Sequence, residues 1–268
     1  MPMNSNPSAR APRKSRSWGN ILKPLALLAL ILLGWHFAAR AQIWSSYVLP
    51  SPEKVWNTLW QMLRDGSALR DILVSLRRVA IGYGIAFGLA FSLGLGFAYS
   101  RNLTQWLGPF LEFFRNVPPI ALIALLILWF GIGEVPKIVI IVLASFFPMF
   151  LNIRRGFEQA DEKLIEVGRS LGFSRSKLFF RIVLPCAAGD VLVGMRIGLG
   201  YSYRAIIGAE MIAAASGLGR MIVYAQQMSR SDKVIIGILL IGLIGCATDW
   251  LFSLGLRWFS RRRGETLG

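Results

Sequence analysis

The feature that most constrains this chain is a series of long apolar segments separated by short basic ones. Twenty helical residues rise about 30 Å, which matches the hydrocarbon thickness of a bilayer. Charged residues make up only 16% of the chain, whereas soluble domains carry about 25%. The mean hydropathy of +0.53 agrees with that deficit. The sequence therefore predicts an integral membrane protein.

Six segments are long and apolar enough to be spans. They are 23–39, 79–99, 117–130, 138–151, 191–214 and 234–256. Transmembrane strands would alternate apolar and polar residues, and these runs do not, so the predicted fold is all-α. The third segment begins with Val-Pro-Pro, where the prolines either break a helix to line a pathway or mark its start.

The distribution of basic residues predicts the orientation. Most of the 30 Lys and Arg residues lie before the first span, after the sixth, or in the segments that follow the second and fourth spans. The positive-inside rule therefore places both termini in the cytoplasm. A cleavable signal peptide is the alternative, because the sequence Ala-Arg-Ala at 39–41 follows a basic start and an apolar run. The mature protein would then begin at Gln42 and lack the first span.

The remaining composition argues against other classes. The net charge of +16 is spread over short clusters between apolar runs, and the sequence has no helix-turn-helix or stacking platform, so nucleic acid is not an expected partner. Nothing pairs Cys186 with Cys246 by spacing, so we expect two buried thiols and no metal site. His36 lies in the first apolar run and is interpreted as a packed or interfacial residue.

The polar loop between the fourth and fifth spans reads DEKLIEVGRSLGFSRSKLFFRIVLP from residue 161. Leu164, Val167 and Leu171 recur at i, i+3 and i+7, which is typical of one face of a short helix. Asp161 is suited to cap its start, and Gly172 permits the left-handed residue that ends it. The residues alone leave two roles open, a helix resting on lipid headgroups or a docking helix.

A second short helix is predicted after the first. Ser174 is suited to cap it, and Leu178, Phe179 and Ile182 form its apolar side. Pro185 disfavours its continuation without a kink, so we expect the chain to turn there into the fifth span.

Glu166, Gly172, Ile182 and Leu184-Pro185 resemble the "EAA" loop of binding-protein-dependent ABC importer permeases of type I. The resemblance extends to LPSPEKVW, RNVPPIALIAL, LWFGIGE, FFPMFLN and GAEMIAAASGLG, from about residue 49 to 259, and is closest to the subfamily that imports aliphatic sulfonates, taurine or nitrate. It implies that the loop is a coupling helix seated on a cytoplasmic ATPase. Val167 and Gly168 replace two alanines of the family pattern, and their compactness is expected to preserve a close approach to the ATPase. The implied coupling residues are Leu164, Glu166, Val167, Gly168, Leu171, Gly172, Ile182, Leu184 and Pro185.

The resemblance also implies the partners and the location. The chain has no G-x-x-x-x-G-K-[ST] motif, so we expect no bound cofactor and no enzymatic activity, with ATP-Mg on a separate ATPase present in two copies. A periplasmic binding protein, a second copy of the permease and the bilayer of the bacterial inner membrane are the other expected partners. The implied organisation is a basic tail (1–20), a first span with a periplasmic segment (21–70), a permease core (71–256) and a second basic tail (257–268). An ATP-independent transporter and a membrane scaffold or sensor remain alternatives, and the substrate stays open among sulfonate, taurine and nitrate.

Ionisable residues inside predicted spans are expensive and usually face a cavity or pair with each other. Arg204 departs from the family pattern, so two hypotheses are kept: it attracts an anionic substrate, or it forms an ion pair with Glu210 or Asp249. The interpreted translocation path consists of Pro118, Pro119, Tyr203, Arg204 and Glu210.

Glycines spaced four apart permit close helix packing. Such pairs are Gly84 with Gly88 and Gly194 with Gly198.

Overall fold

The computed structural model describes the backbone of residues 19–263 and the side chains of residues 22–256. The predicted basic tails therefore lie outside the described side chains. Every regular element between residues 19 and 263 is helical, which confirms the predicted all-α fold.

The first half of the chain forms α1 Gly19–Arg40, α2 Pro52–Arg64, α3 Ser67–Tyr99, α4 Arg101–Arg115, a 3-10 turn Pro119–Leu122, α5 Ile123–Phe130 and α6 Glu134–Glu158. The second half forms α7 Glu162–Ser170, α8 Arg175–Leu178, a π-helical turn Phe179–Val183, α9 Leu184–Ala213, α10 Leu218–Gln227 and α11 Ser231–Arg263.

Five helices of the described chain are long and apolar enough to cross a membrane. A sixth candidate span is a broken pair, in which α4 and the segment Pro119–Phe130 meet at 88°. The predicted third span, 117–130, is therefore the second part of this broken pair, and its prolines lie at the break, with Pro119 as the first residue of the 3-10 turn. Pro119 disfavours helical backbone at Pro118, which is extended (φ −60°, ψ 122°), so α4 ends before the prolines and the chain turns.

The second predicted span, 79–99, is too short at its N-terminal end. Helix α3 begins at Ser67 rather than at residue 79, so Arg77 and Arg78 lie inside it. The predicted boundary between residues 70 and 71 also falls within this helix. Asp65 precedes the helix and accepts a hydrogen bond from the Ser67 N–H at 2.8 Å. Hydrogen bonds from the Ser67 side chain and backbone lower the pKa of Asp65.

Helix α6 is the centre of the bundle and packs most extensively against α9 and α3. Its residues Met149, Phe150 and Ile153 are buried in the largest apolar cluster. Gly194 and Gly198 of α9 both face Met149, and a Cβ at Gly198 would lie 2.4 Å from the Met149 Cε. The predicted close packing through these two glycines is confirmed.

The other predicted glycine pair does not make such a contact. A Cβ at Gly84 or Gly88 would meet nothing within 4 Å. Gly82 makes the close approach instead, because a Cβ there would lie 2.7 Å from the Ile141 side chain of α6. The helical register, which the spacing alone does not reveal, decides which glycines face a neighbour.

Helix α2 is fastened to the start of α11 by polar contacts. The Thr58 hydroxyl donates to Asp232 at 2.8 Å, and Asp232 is 2% exposed. Arg230 donates twice to the same carboxylate, at 2.9 and 2.7 Å. These hydrogen bonds raise the pKa of Arg230. Beside them, Val55 and Ile236 are buried in one apolar cluster that joins the two helices.

The two cysteines differ from the prediction. Cys186 and Cys246 are both free, but both are exposed rather than buried. They lie on outward faces of α9 and α11.

Candidate functional site

The loop between α6 and α9 folds as its sequence predicts. The Asp161 carboxylate accepts a hydrogen bond from the Lys163 N–H at 2.9 Å at the start of α7. Gly172 has φ +72°, the left-handed conformation that ends this helix. The Ser174 hydroxyl then accepts from the Lys177 N–H at 3.3 Å, which caps α8. The local capping predictions are therefore confirmed.

Helix α7 presents its apolar side outwards. Leu164, Val167 and Leu171 are 48%, 57% and 67% exposed, and Glu166 beside them is exposed as well. We call the three apolar residues the α7 ridge. Since exposed apolar side chains that share one face of a short helix are uncommon without a partner, the ridge is a candidate contact surface.

Gly168 faces the opposite way. It is buried, and a Cβ at this position would lie 2.5 Å from the Leu178 Cδ2 and 2.8 Å from the Ile182 Cδ1. Its compactness therefore lets α7 lie against α8 and the π-helical turn of the same chain. The expectation that Gly168 serves a close approach to the ATPase is corrected accordingly. Ile182 and Leu184 are both half-buried, and Leu184 packs against the main core.

Pro185 does not end a helix, contrary to the prediction. It lies in the first turn of α9, and residues Arg175–Ala213 form one continuous helical element. A proline ring clashes with the carbonyl four residues earlier and its nitrogen carries no hydrogen. The π-helical turn Phe179–Val183 directly before it widens the backbone there, so the helix continues through the proline.

A partly buried ion cluster lies at the end of the bundle opposite α7. Arg78 of α3 donates to the Glu210 Oε1 at 2.7 Å and to both Glu134 oxygens at 2.6 Å. It also donates to the Ser216 carbonyl at 2.7 Å. Lys137, which is 3% exposed, donates to Glu134 at 2.9 Å. Arg78, Lys137 and Glu210 are buried, whereas the Glu134 side chain is 56% exposed. The two carboxylates offset the two buried cations, which makes burial of the cations tolerable.

The segment that joins α9 to α10 packs against the Glu210 carboxylate. The Gly219 N–H donates to the Glu210 Oε2 at 3.0 Å, and Ser75 bridges the Glu210 carboxylate and the Leu218 N–H. Gly217 has φ +112°, and a Cβ there would lie 2.4 Å from the Glu210 carboxylate. The sequence Ser-Gly-Leu-Gly at 216–219 therefore has glycine where the backbone touches Glu210.

The predicted translocation residues separate into two places. Glu210 belongs to the ion cluster, and Tyr203 is 7% exposed and packs among the buried residues around Ile206. Pro119 and Arg204 line a separate cavity. Pro118 lies between the lining residues Val117 and Pro119 but is not itself part of the lining.

The ion pairs proposed for Arg204 do not form. Glu210 is bonded to Arg78, and Asp249 accepts two hydrogen bonds from Arg196 at 2.7 Å. No carboxylate between residues 22 and 256 lies within ion-pair distance of Arg204. Its guanidinium carbon lies 5.7 Å from the ring centre of Tyr201 instead.

Sequence reasoning missed Arg78, Glu134 and Lys137, because each was assigned to a segment outside the membrane. One signal was present: Ser75 with Arg78, and Glu134 with Lys137, are spaced three apart, as neighbours on one helical face are.

The cavity holding Arg204 has a volume of about 550 Å³. The linker after α4, one side of α6 and the middle of α9 form its walls. The ionisable side chains that line it in the described part of the chain are Arg115, Arg204 and the phenol of Tyr201, and the remaining lining is apolar. Arg115 is ion-paired with Glu112. Arg204 is therefore the one lining cation without a carboxylate partner among the described residues.

Comparison with known proteins adds a family match. The model of the family described as binding-protein-dependent transport system inner membrane component matches residues 84–261. The chain is 34% identical over 237 residues to SsuC of Bacillus subtilis (strain 168), which is named as an aliphatic sulfonates transport permease, covering 88% of this chain and 85% of that one. It is 34% identical over 243 residues to the taurine transport system permease protein TauC of Escherichia coli (strain K12), covering 89% and 87%. It is 27% identical over 238 residues to the nitrate import permease protein NrtB of Synechocystis, covering 85% and 86%.

Solved structures share the fold. An amino acid ABC transporter solved with histidines has a TM-score of 0.61 at 17% identity, covering 76% of this chain and 97% of that chain. The inward-facing MetNI methionine ABC transporter has a TM-score of 0.57 at 16% identity, covering 74% and 97%. At these identities the likeness supports the architecture and not the substrate.

Proposed function

Since this chain belongs to the family of binding-protein-dependent transport system inner membrane components, we propose that it is the permease subunit of an ATP-driven importer for one small oxyanion. An aliphatic sulfonate is the proposed substrate, ahead of taurine and nitrate. Three relatives that cover most of the chain are named for sulfonate, taurine and nitrate transport. In this proposal the permease lies in the bacterial inner membrane with both termini in the cytoplasm.

The α7 ridge carries the proposal. It exposes Leu164, Val167 and Leu171 on a short capped helix, next to the basic residues of the same loop. We assign this ridge to the docking of a separate ATPase, with Glu166 at its edge. An apolar ridge on a helix is the usual anchor for a groove on a partner.

Tight packing of α7 on the segment that leads into α9 would let the α7 ridge transmit movements of the ATPase to the membrane helices. Gly168 lets α7 lie tightly on Leu178 and Ile182. Ile182 belongs to the π-helical turn, which leads directly into α9. A displacement of α7 by the ATPase would therefore be passed to α9 and to α6 packed against it. ATP-Mg is proposed to bind only on the ATPase subunits, two per transporter, with a homodimer of this chain between them. A periplasmic binding protein would deliver the substrate.

The test is reconstitution in lipid with the candidate ATPase and a binding protein loaded with an alkanesulfonate. We expect ATP hydrolysis to rise only with the loaded binding protein, and this rise to be lost in Leu171→Glu and in Gly172→Arg. Gly66→Arg is the matched control for Gly172→Arg, because Gly66 also has a left-handed backbone (φ +74°) and open space around it but lies between α2 and α3 rather than at the end of α7.

Three results would count against the proposal. Unchanged stimulation of both α7 variants would remove the docking role. Equal loss in Gly66→Arg would show general damage rather than a specific contact. Transport that persists without any ATPase would favour a secondary transporter instead.

A further inference from the structure

We propose that the cavity between the broken pair, α6 and α9 is a binding site for a monovalent organic anion with an apolar tail, with Arg204 as the residue that binds the acid group. The inference rests on the proposed function and adds to it a site in the permease itself. It also narrows the substrate class, because the cavity suits an alkanesulfonate better than taurine or nitrate.

The position of Arg204 supports a ligand role. It lies nine residues before the end of α9 at Ala213, which is about 14 Å along the axis at 1.5 Å per residue. The Arg204 side chain is exposed on α9 rather than packed in the core, and a cation within a membrane-spanning helix needs a compensating charge or water-filled space. Its guanidinium lies over the ring of Tyr201, and it forms no hydrogen bond with the residues that the structure describes, so its donors are available to an oxyanion.

The charges that line the cavity favour a ligand with a single negative charge. Arg115 is already neutralised by Glu112, and no carboxylate is among the described residues that line the cavity. A single bound anion would therefore balance Arg204. A divalent anion would leave one charge uncompensated in a mostly apolar space.

The apolar walls of the cavity favour a ligand with an apolar tail. Ile120, Leu143, Phe147 and Leu151 line it. The volume of about 550 Å³ is typical of small-molecule sites. Nitrate would leave most of this apolar surface unfilled. The ammonium group of taurine would lie against apolar walls without a carboxylate partner, which disfavours its binding.

An anionic lipid has the same chemistry as an alkanesulfonate, since it also joins an acid group to an apolar chain. The experiment therefore measures binding of butanesulfonate to the complex of permease and ATPase, without binding protein, in nanodiscs of phosphatidylcholine. The measurement is repeated with phosphatidylglycerol added. Taurine and nitrate are compared under the same conditions.

We expect wild-type protein to bind butanesulfonate and Arg204→Gln to weaken that binding tenfold or more, with Arg204→Lys between the two. Arg220→Gln is the matched control, because Arg220 is exposed and lies 5.4 Å from the ring of Tyr224 in the same manner, but it does not line the cavity. This control should bind like wild type. Taurine and nitrate should bind more weakly than butanesulfonate.

The inference is overturned if wild type does not bind butanesulfonate, if Arg204→Gln binds as wild type does, if taurine or nitrate binds as tightly, or if phosphatidylglycerol abolishes binding. The same variants are tested for ATP hydrolysis stimulated by the loaded binding protein. Stimulation in wild type with unaltered sulfonate binding in Arg204→Gln would refute this site alone. Absence of stimulation in wild type would refute the importer function itself.

Discussion

The guanidinium of Arg78 in α3 lies 2.7 Å from the Glu210 carboxylate in α9, and both side chains are buried, at 5% and 0% exposure. The same guanidinium reaches Glu134 at the start of α6. The three helices that form most of the bundle are thus joined at one end by a single arginine.

Arg78→Gln should strongly destabilise the protein. The substitution leaves Glu210 buried without its cation, and breaking a buried pair costs about 3–5 kcal/mol. Arg77→Gln is the control, since the neighbouring Arg77 is exposed. The midpoint of thermal unfolding in one detergent should fall for the first variant and stay near wild type for the second. Adding Glu210→Gln to Arg78→Gln should recover part of the loss, and no recovery would contradict the proposed charge balance.

Gly82→Ala should destabilise the packing of α3 on α6. The added Cβ would lie 2.7 Å from the Cβ and Cγ2 of Ile141, and overpacking of this kind costs about 1–3 kcal/mol. Gly84→Ala, two residues along the same helix, meets open space and should gain up to about 1 kcal/mol in helix propensity. Opposite shifts of the two unfolding midpoints are expected, and equal shifts would show that the register of α3 is wrong.

Gly168→Leu should displace α7 from the rest of its loop. The side chain would collide with Leu178 and Ile182, whereas Val167→Leu enlarges an exposed residue and should leave the loop in place. Limited proteolysis between α6 and α9 should accelerate in the first variant only. If both variants behaved alike, Gly168 would not face its own chain as described.

Thr58→Val should loosen α2 from α11. It removes the hydrogen bond to the buried Asp232 at a cost of about 1–3 kcal/mol. Thr248→Val is the control, because the Thr248 hydroxyl bonds only to carbonyls of its own helix. Hydrogen exchange of the α2 amides should increase in Thr58→Val and remain unchanged in Thr248→Val. Unchanged exchange in Thr58→Val would assign the attachment of α2 to its apolar contacts alone.

Features that depend on neighbouring residues could be predicted from the sequence. The caps at Asp161 and Ser174 and the left-handed Gly172 are such features, because each is set by hydrogen bonds or torsions within a few residues. The apolar runs likewise gave the helices that can cross a membrane, since their length and composition are local properties. The α7 ridge followed from the same periodicity.

Features that depend on which distant residues meet could only be decided by the tertiary structure. The sequence assigns Arg78 to a segment outside the membrane, because the adjacent pair Arg77-Arg78 does not reveal that Glu134 and Glu210 lie beside Arg78 in the fold. One of the two hypotheses for Arg204 gave it a carboxylate partner, Glu210 in its own membrane segment or Asp249 in the next. The packing of α9 against α3 and α11 instead pairs Glu210 with Arg78 and Asp249 with Arg196, and leaves Arg204 facing a mostly apolar cavity. The sequence alone determined which segments are helical and apolar, the caps of α7 and α8, and the family. The pairing of charges arose from long-range contacts that helical periodicity does not encode.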